Sequence, residues 1–317
     1  MRIHPWAERK EAEVNETATL DLEYRQHRGV ISAFLAATGH DGFVLLESGP
    51  ASTLDALQRG IEGAGFELHQ LRAVLLTHVH LDHAAAAGTL ARRTGCEVWV
   101  HPDGAHHMAD PEDKLLPSAR RLYGEMLVPL FGVMEGVPND CLRIVEDGAP
   151  VNLGGLEATG WFTPGHARHH VVWQVGGDVI TGDVGGVRLP GSDHVLPPMP
   201  PPDIDVEAWL RSLDLVRGLA PERLLVTHFG AWDDPELHLD QLEQRLVRWT
   251  EITDGVVAEG SDGTELARRL KTLDDAEMDA SGVDEDLRQS YRLLCPMKEN
   301  SSGLLRYVAK RAVGSGQ

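Results

Sequence analysis

Residues 72–83 read Arg-Ala-Val-Leu-Leu-Thr-His-Val-His-Leu-Asp-His, an apolar run that stops at Leu76 and gives way to His78, His80, Asp82 and His83. The run Ala73-Val74-Leu75-Leu76 has the length and composition of a buried strand. Thr77 onward therefore falls in the loop at that strand's end. The residues that follow, Ala84 to Gly88, are small, so side chains from one turn can point at a common centre without bulk in the way. Imidazole nitrogen and carboxylate oxygen suit zinc and its first-row neighbours. A lone histidine is usually a solvated or packed residue. Four such groups within six residues, directly after a strand, read instead as a metal loop.

Three further positions repeat the arrangement. His166 comes after the apolar stretch ending Trp161-Phe162, through Thr163-Pro164-Gly165. Asp183 follows Val179-Ile180-Thr181-Gly182, and His228 follows Leu224-Leu225-Val226-Thr227. Each candidate ligand thus occupies the loop just past a strand's C-terminal end, where rigid scaffolds gather functional groups.

With its HxHxDH signature and the later Gly-His, Gly-Asp and His elements, the chain resembles the metallo-β-lactamase superfamily over roughly residues 29–235. The resemblance implies an α/β fold, a four-layer αβ/βα sandwich, with a helical C-terminal extension. It also implies two divalent metal ions, zinc first, with manganese or iron as alternatives. One ion would be held by His78, His80 and His166, the other by Asp82, His83 and His228, with Asp183 bridging both. Two cations on one water bring its pKa from 15.7 toward about 7, giving a hydroxide nucleophile, and one of them can polarise a scissile carbonyl. Asp82 then has a second role, orienting the water or carrying a proton to the leaving group. The overall layout is similar to glyoxalase II-like hydrolases, which implies a small thioester, ester or lactone as substrate.

The pattern departs from the family in two places. The Asp-x-Gly that often follows the early strand is Glu47-Ser48-Gly49 here, and the Gly-Gly after the Asp-His pair is Ala84-Ala85. Glu47 is read two ways, as a carboxylate that supports a histidine of the metal loop or as a strand end near solvent. Eleven of the 16 histidines lie outside the ligand set. The pairs His106-His107 and His169-His170 are read as surface or packing residues, with His169 a candidate to line the pocket. Pro190 to Pro202, with six prolines, is read as a stiff loop along the rim. Tyr123, Met126, Phe131, Phe229 and Trp232 are read as a substrate wall or as core.

The remaining chain fits this layout. VISAFLAA and FVLLES read as strands joined by a hairpin turn at Thr38–Gly42. Leu54, Leu57, Ile61 and Ala64 recur at helical spacing. Residues 102–138 form an amphipathic insertion whose apolar stretch, 115–134, is read as a lid or a homodimer surface. From Cys141 to Val226 short strands return, and after His228 they stop. Helices follow from about Asp234, with Leu239, Leu242, Leu246 and Trp249 on one face, Leu266, Leu270 and Leu273 on another, and Leu287, Tyr291 and Leu294 on a third. The expected division is 1–235, the catalytic domain, and 236–317, the helical extension.

A formal charge of −20 with no basic patch disfavours a nucleic-acid partner. No apolar run reaches the roughly 18 residues of a membrane span, and MRIHPWAERKEAEVNE lacks a secretory core. A cytoplasmic protein with a small-molecule substrate is expected. Cys96, Cys141 and Cys295 are widely spaced, with no CxxC pair, and are read as structural thiols. Two other function classes stand beside the hydrolase: a mononuclear iron oxidoreductase similar to the persulfide dioxygenases, and a non-catalytic metal-binding scaffold. A single iron would not need Asp82, His83 and His228 together, and a degenerate scaffold has no reason to keep seven ligands.

Overall fold

The computed structural model describes residues 17–39 and 41–314. Segment 1–16, on which the absence of a secretory core was read, and His40 of the hairpin turn lie outside the described residues.

Twelve strands form two mixed sheets among the described residues. The first holds β1 (Thr17–Asp21), β2 (Ser32–Ala37), β3 (Phe43–Leu46), β4 (Leu71–Leu75), β5 (Glu97–Val100) and β6 (Leu142–Ile144), side by side in that order. The second holds β7 (Pro150–Leu153), β8 (Leu156–Phe162), β9 (Val171–Val175), β10 (Asp178–Ile180), β11 (Arg223–Val226) and β12 (Gly230–Trp232), again neighbours in chain order. β2 and β3 form the expected hairpin, Ala37 opposite Phe43, with Thr38 N–H donating to Gly42 O at 2.8 Å. β3 to β6 are parallel. All four residues of β3 are buried, as a parallel strand covered on both faces requires.

The chain divides into two compact units: Met1–Gly160 with Trp173–Gly176, and Trp161–Val172 with Gly177–Gln317. In the first, helix Leu54–Gly63 buries Leu57 and Ile61 of the four residues picked out by spacing, together with Ala56, while Leu54 and Ala64 are half-buried. Its end is closed by Gly65 at φ 88°, with Phe66 N–H donating back to Ile61 O. Trp173, fully buried, donates its indole N–H to Leu76 O at 3.0 Å and ties down the backbone where β4 opens into the histidine loop.

In the second unit, β10, β11 and the C-terminal helices share one core. Leu239, Leu242, Leu246 and Trp249 of helix Pro235–Ala258 are fully buried with Val179, Leu224 and Val226, and Leu266, Leu270, Tyr291 and Leu304 join them. The three helical faces expected from the sequence are therefore core faces, with Leu273, Leu287 and Leu294 partly buried at their margins.

Several expectations need correction. Strands do not stop at His228, because β12 follows it and pairs antiparallel with β11. β1 was missed, as was a fourth C-terminal helix, Met297–Gly314, whose Asn, Ser and Gly residues blur its apolar face. The proline-rich segment is not a rim loop, since His194 to Met199 are buried. The 102–138 insertion is helical, and its apolar residues divide. Leu116, Leu127, Phe131 and Met134 are buried, whereas Leu122, Met126, Val128 and Val133 are each about half exposed or more. No helix among the described residues is long and apolar enough to cross a membrane.

Candidate metal centre

The first unit supplies His78, His80, Asp82 and His83 from the loop after β4, whose last residue, Leu75, pairs with Leu46 of β3. That register sets Glu47, the residue after Leu46, beside Thr77. Glu47 is fully buried and sits at φ 69°, a left-handed conformation that turns its carboxylate into the loop. It accepts from Thr77 Oγ1, in a short contact, and from Thr77 N–H at 3.3 Å, and its Oε1 lies 3.0 Å from His83 Nδ1. The supporting role is therefore the one the geometry bears out, and the solvent-facing alternative is excluded by burial.

These contacts set tautomers. His83 Nδ1–H donates to Glu47, so Nε2 carries the lone pair. Thr77 donates its hydroxyl hydrogen bond to Glu47, so its oxygen accepts from His78 Nδ1–H at 3.0 Å, and His78 also presents Nε2. His78 Nε2 and His80 Nδ1 are 3.0 Å apart, close to the roughly 3.3 Å between two nitrogens on one tetrahedral zinc. His80 caps the short helix Leu81–Ala84, which carries Asp82 and His83. Ser48 and Gly49 N–H both donate to His83 O at 2.9 Å, fixing that turn. Ala84 to Ala87 are completely buried, so the methyl groups that replace the family's glycines are packed rather than exposed. Asp82 and His80 are the half-buried members, the Asp82 side chain being 28% exposed against 0% for His83.

The second unit supplies His166, Asp183 and His228. β10 and β11 run parallel with Ile180 opposite Leu225, and Asp183 and His228 each lie three residues beyond that pair. In-register parallel strands thus deliver the two side chains next to each other. The register is locked from below by Arg223, which grips Asp178 through two bonds of 2.8 and 2.7 Å. Asp183 Oδ1 lies 3.3 Å from His228 Nε2 and Oδ2 lies 3.2 Å from His166 Nε2. One carboxylate thereby addresses two imidazoles, one oxygen to each. His166 Nδ1–H donates to Pro198 O at 2.9 Å, which again leaves Nε2 as the ligand atom.

The turn around Asp183 is held from three sides. Trp209 indole N–H donates to Val184 O at 2.8 Å, His238 Nε2–H donates to Gly185 O at 2.6 Å, and Val184 N–H donates to His170 Nε2. Because His170 Nε2 accepts, its Nδ1–H donates to Thr163 Oγ1 at 2.9 Å. His238 is fully buried with no partner for Nδ1, and burial pushes its pKa down to about 4. Arg188, also fully buried, brackets His228 by backbone bonds, its N–H to His228 O and its O from Phe229 N–H. Its guanidinium pairs with Asp234 and Asp193 and lies 3.8 Å over the Trp232 ring. Gly165 lets the His166 loop touch helix Val206–Gly218, since a Cβ there would fall 2.4 Å from Trp209 Cα.

All seven sequence-selected ligands therefore sit in one or other of these two clusters. Sequence reasoning missed His170, His238, Arg188 and Trp209, which hold the ligand turns. It also missed Tyr24, whose phenol is held protonated by burial and by the charge of Asp82. Burial likewise raises the pKa of all three thiols, and Cys96 reaches about 11, which keeps them out of thiolate chemistry. The donor chemistry fits divalent metals. His78, His83 and His166 each have Nδ1 committed to an oxygen partner, which orients Nε2 as the ligand atom.

The chain belongs to the metallo-β-lactamase superfamily, whose family model matches residues 28–228, and it has that superfamily's αβ/βα fold. This superfamily consists mostly of metal-dependent hydrolases. The matched segment contains all seven candidate ligands. A metallo-β-lactamase fold-containing protein of Sulfurisphaera tokodaii is 29% identical over 206 residues, covering 64% of this chain and 77% of that protein. A protein of Bacillus subtilis described as a probable metallo-hydrolase is 26% identical over 202 residues, covering 59% and 75%. Among solved structures, a metallo-β-lactamase family protein of Thermus thermophilus superimposes with a TM-score of 0.68 at 19% identity, covering 93% of this chain and 94% of that one.

Proposed function

We propose that the protein is a binuclear metal-dependent hydrolase of small thioesters, esters or lactones, with His78, His80, Asp82, His83, His166, Asp183 and His228 as the ligands of two divalent ions. The observation that carries the reading is Asp183, which turns one carboxylate oxygen to His166 and the other to His228. A carboxylate so placed suits a bridge between two cations better than a bond to one. Zinc is the first expectation from a donor set of nitrogen and oxygen alone, with manganese and iron next.

Bound divalent ions acidify water to a pKa of about 7 and polarise a carbonyl. This chain's residues supply the rest. Glu47 and the Pro198 carbonyl fix which imidazole nitrogens face the centre. Asp82 is the ligand carboxylate that reaches solvent, so it is the group placed to take a proton and pass it to a leaving thiol or alcohol. In this reading residues 1–235 are the catalytic part and 236–317 a helical extension.

Elemental analysis of the purified protein, paired with turnover of a panel of thioester, lactone and β-lactam substrates, tests the reading. The expected result is about two zinc or manganese ions per chain and turnover of one ester-like class. One iron per chain, oxygen uptake with a persulfide and no hydrolysis would replace it with the dioxygenase reading.

A further inference from the structure

The Pro198 carbonyl that accepts from His166 Nδ1–H lies in a segment, 187–199, held mainly from outside the sheet. Its sheet-like contacts are two isolated bridges, Val187 to Leu196 and Val187 to His228. Beyond the backbone bonds that Arg188 makes to His228 and Phe229, further anchors come from the C-terminal helices. Tyr291 hydroxyl accepts from Leu189 N–H at 3.0 Å and donates to His194 O at 2.6 Å. His194 Nε2–H donates to Asp274 at 2.7 Å, while Arg245 donates to Val195 O and is paired with Glu277. Nearest to Pro198, Met199 N–H donates to Asn300 Oδ1 at 2.8 Å, and both residues are buried. At Gly303 a Cβ would lie 2.0 Å from Met199 O, so the helix backbone itself rests on the segment.

We propose that helix Met297–Gly314 is a positioning element for the metal ligand His166. Asn300 and Gly303 fix Met199, and with it the Pro198 carbonyl that sets the tautomer and ring orientation of His166. The inference rests on the metal reading above. It adds that the last helix, more than 130 residues beyond His166 in sequence, tunes metal affinity through one backbone carbonyl. Loss of an acceptor that orients a ligating histidine weakens metal binding by about 10- to 100-fold.

The test compares full-length Asn300→Ala, Asn300→Asp and Leu304→Ala with wild type, in zinc titrations of apo-protein against a chelating indicator and in long-range proton–nitrogen spectra of His166. Asn300→Ala is expected to bind one of its zinc ions about 10-fold more weakly and to lose the single Nδ1–H tautomer. Asn300→Asp keeps an oxygen acceptor for Met199 N–H and is expected to restore both. Leu304, fully buried one turn further along the same helix, is the structural control: Leu304→Ala should lower stability and leave affinity and tautomer unchanged. If Asn300→Ala does not fold, Asn300→Ser, one bond too short to reach Met199, takes its place with the same expected outcome. Wild-type affinity and tautomer in the Asn300 variant, or equal losses in Leu304→Ala, would overturn the inference. A wild type that binds no zinc, while its His166 tautomer still depends on Asn300, would instead overturn the metal reading and leave the positioning role standing.

Discussion

Acidification should weaken the second unit through His238, beginning above the pH at which most carboxylates titrate. Burial holds the His238 pKa at about 4 against an ordinary 6.5, because a proton on Nδ1 would make a buried cation with no acceptor there, a cost that outweighs the opposing bond from Nε2–H to Gly185 O. The folded pKa lies below the unfolded one, so the unfolded chain binds the extra proton first. Stability is therefore complete above pH 6.5, declines as the pH falls from 6.5 to about 4, and loses nothing further from this group below that. At about 1.4 kcal/mol per pH unit, the loss amounts to roughly 3 kcal/mol. Urea unfolding of the apo-protein, followed by tryptophan fluorescence, to which the buried Trp209 and Trp249 of this unit contribute, measures it at intervals between pH 7.5 and 4. In His238→Gln the amide still reaches toward Gly185 O but does not titrate, and carboxylate contributions common to both proteins cancel in the difference. Wild type should lose about 3 kcal/mol more than the variant over this range. Parallel pH dependences for the two proteins would refute the assignment of a neutral buried imidazole.

Three other outcomes are expected. Asp183→Ala should strip at least one metal ion and abolish hydrolysis, since one carboxylate serves both His166 and His228; full turnover with metal lost would defeat the mechanism, and metal analysis with a turnover assay reads both. Glu47→Gln keeps the shape but removes the charge that holds His83 Nδ1–H, so zinc affinity, measured by chelator competition, should fall by about 10- to 100-fold. Leu246→Ala, a truncation in the fully buried core that β10, β11 and the C-terminal helices share, should cost about 2–5 kcal/mol in urea unfolding and leave the ligand turns their hydrogen bonds.

The candidate ligands were legible because each is announced locally. An apolar strand ends, a small residue or threonine follows, and a histidine or aspartate comes within a few positions. The hairpin at Thr38–Gly42 and the apolar faces around Leu246 and Leu270 were legible for the same reason, since turn chemistry and helical periodicity are properties of a short window. β1 and β12 were not. β12 is three residues long and is defined by its partner β11, and β1 is a five-residue run whose place depends on pairing with β2.

What the sequence could not reveal was which residues hold the ligands in place, because those contacts join positions far apart. His170 looked like half of an ordinary histidine pair, yet it takes the amide proton of Val184 beside Asp183. Asp274 stands among other acids in the sequence and nothing local marks it, yet it is buried against His194. The prolines between 190 and 202 suggested a rim, but proline says only that a segment is stiff, not what covers it. Here the cover is the C-terminal helices. Side chains such as Asn300, Tyr291 and Arg245 bond to the backbone of the segment, so the segment's own sequence carries no mark of their presence. A second-unit candidate ligand such as His166 therefore depends on residues from opposite ends of that unit: its strand end delivers it, and in the proposed role a helix remote in sequence orients it. This is why the variants at Asn300 and Leu304 separate a contact that aims a ligand from a contact that only stabilises the fold.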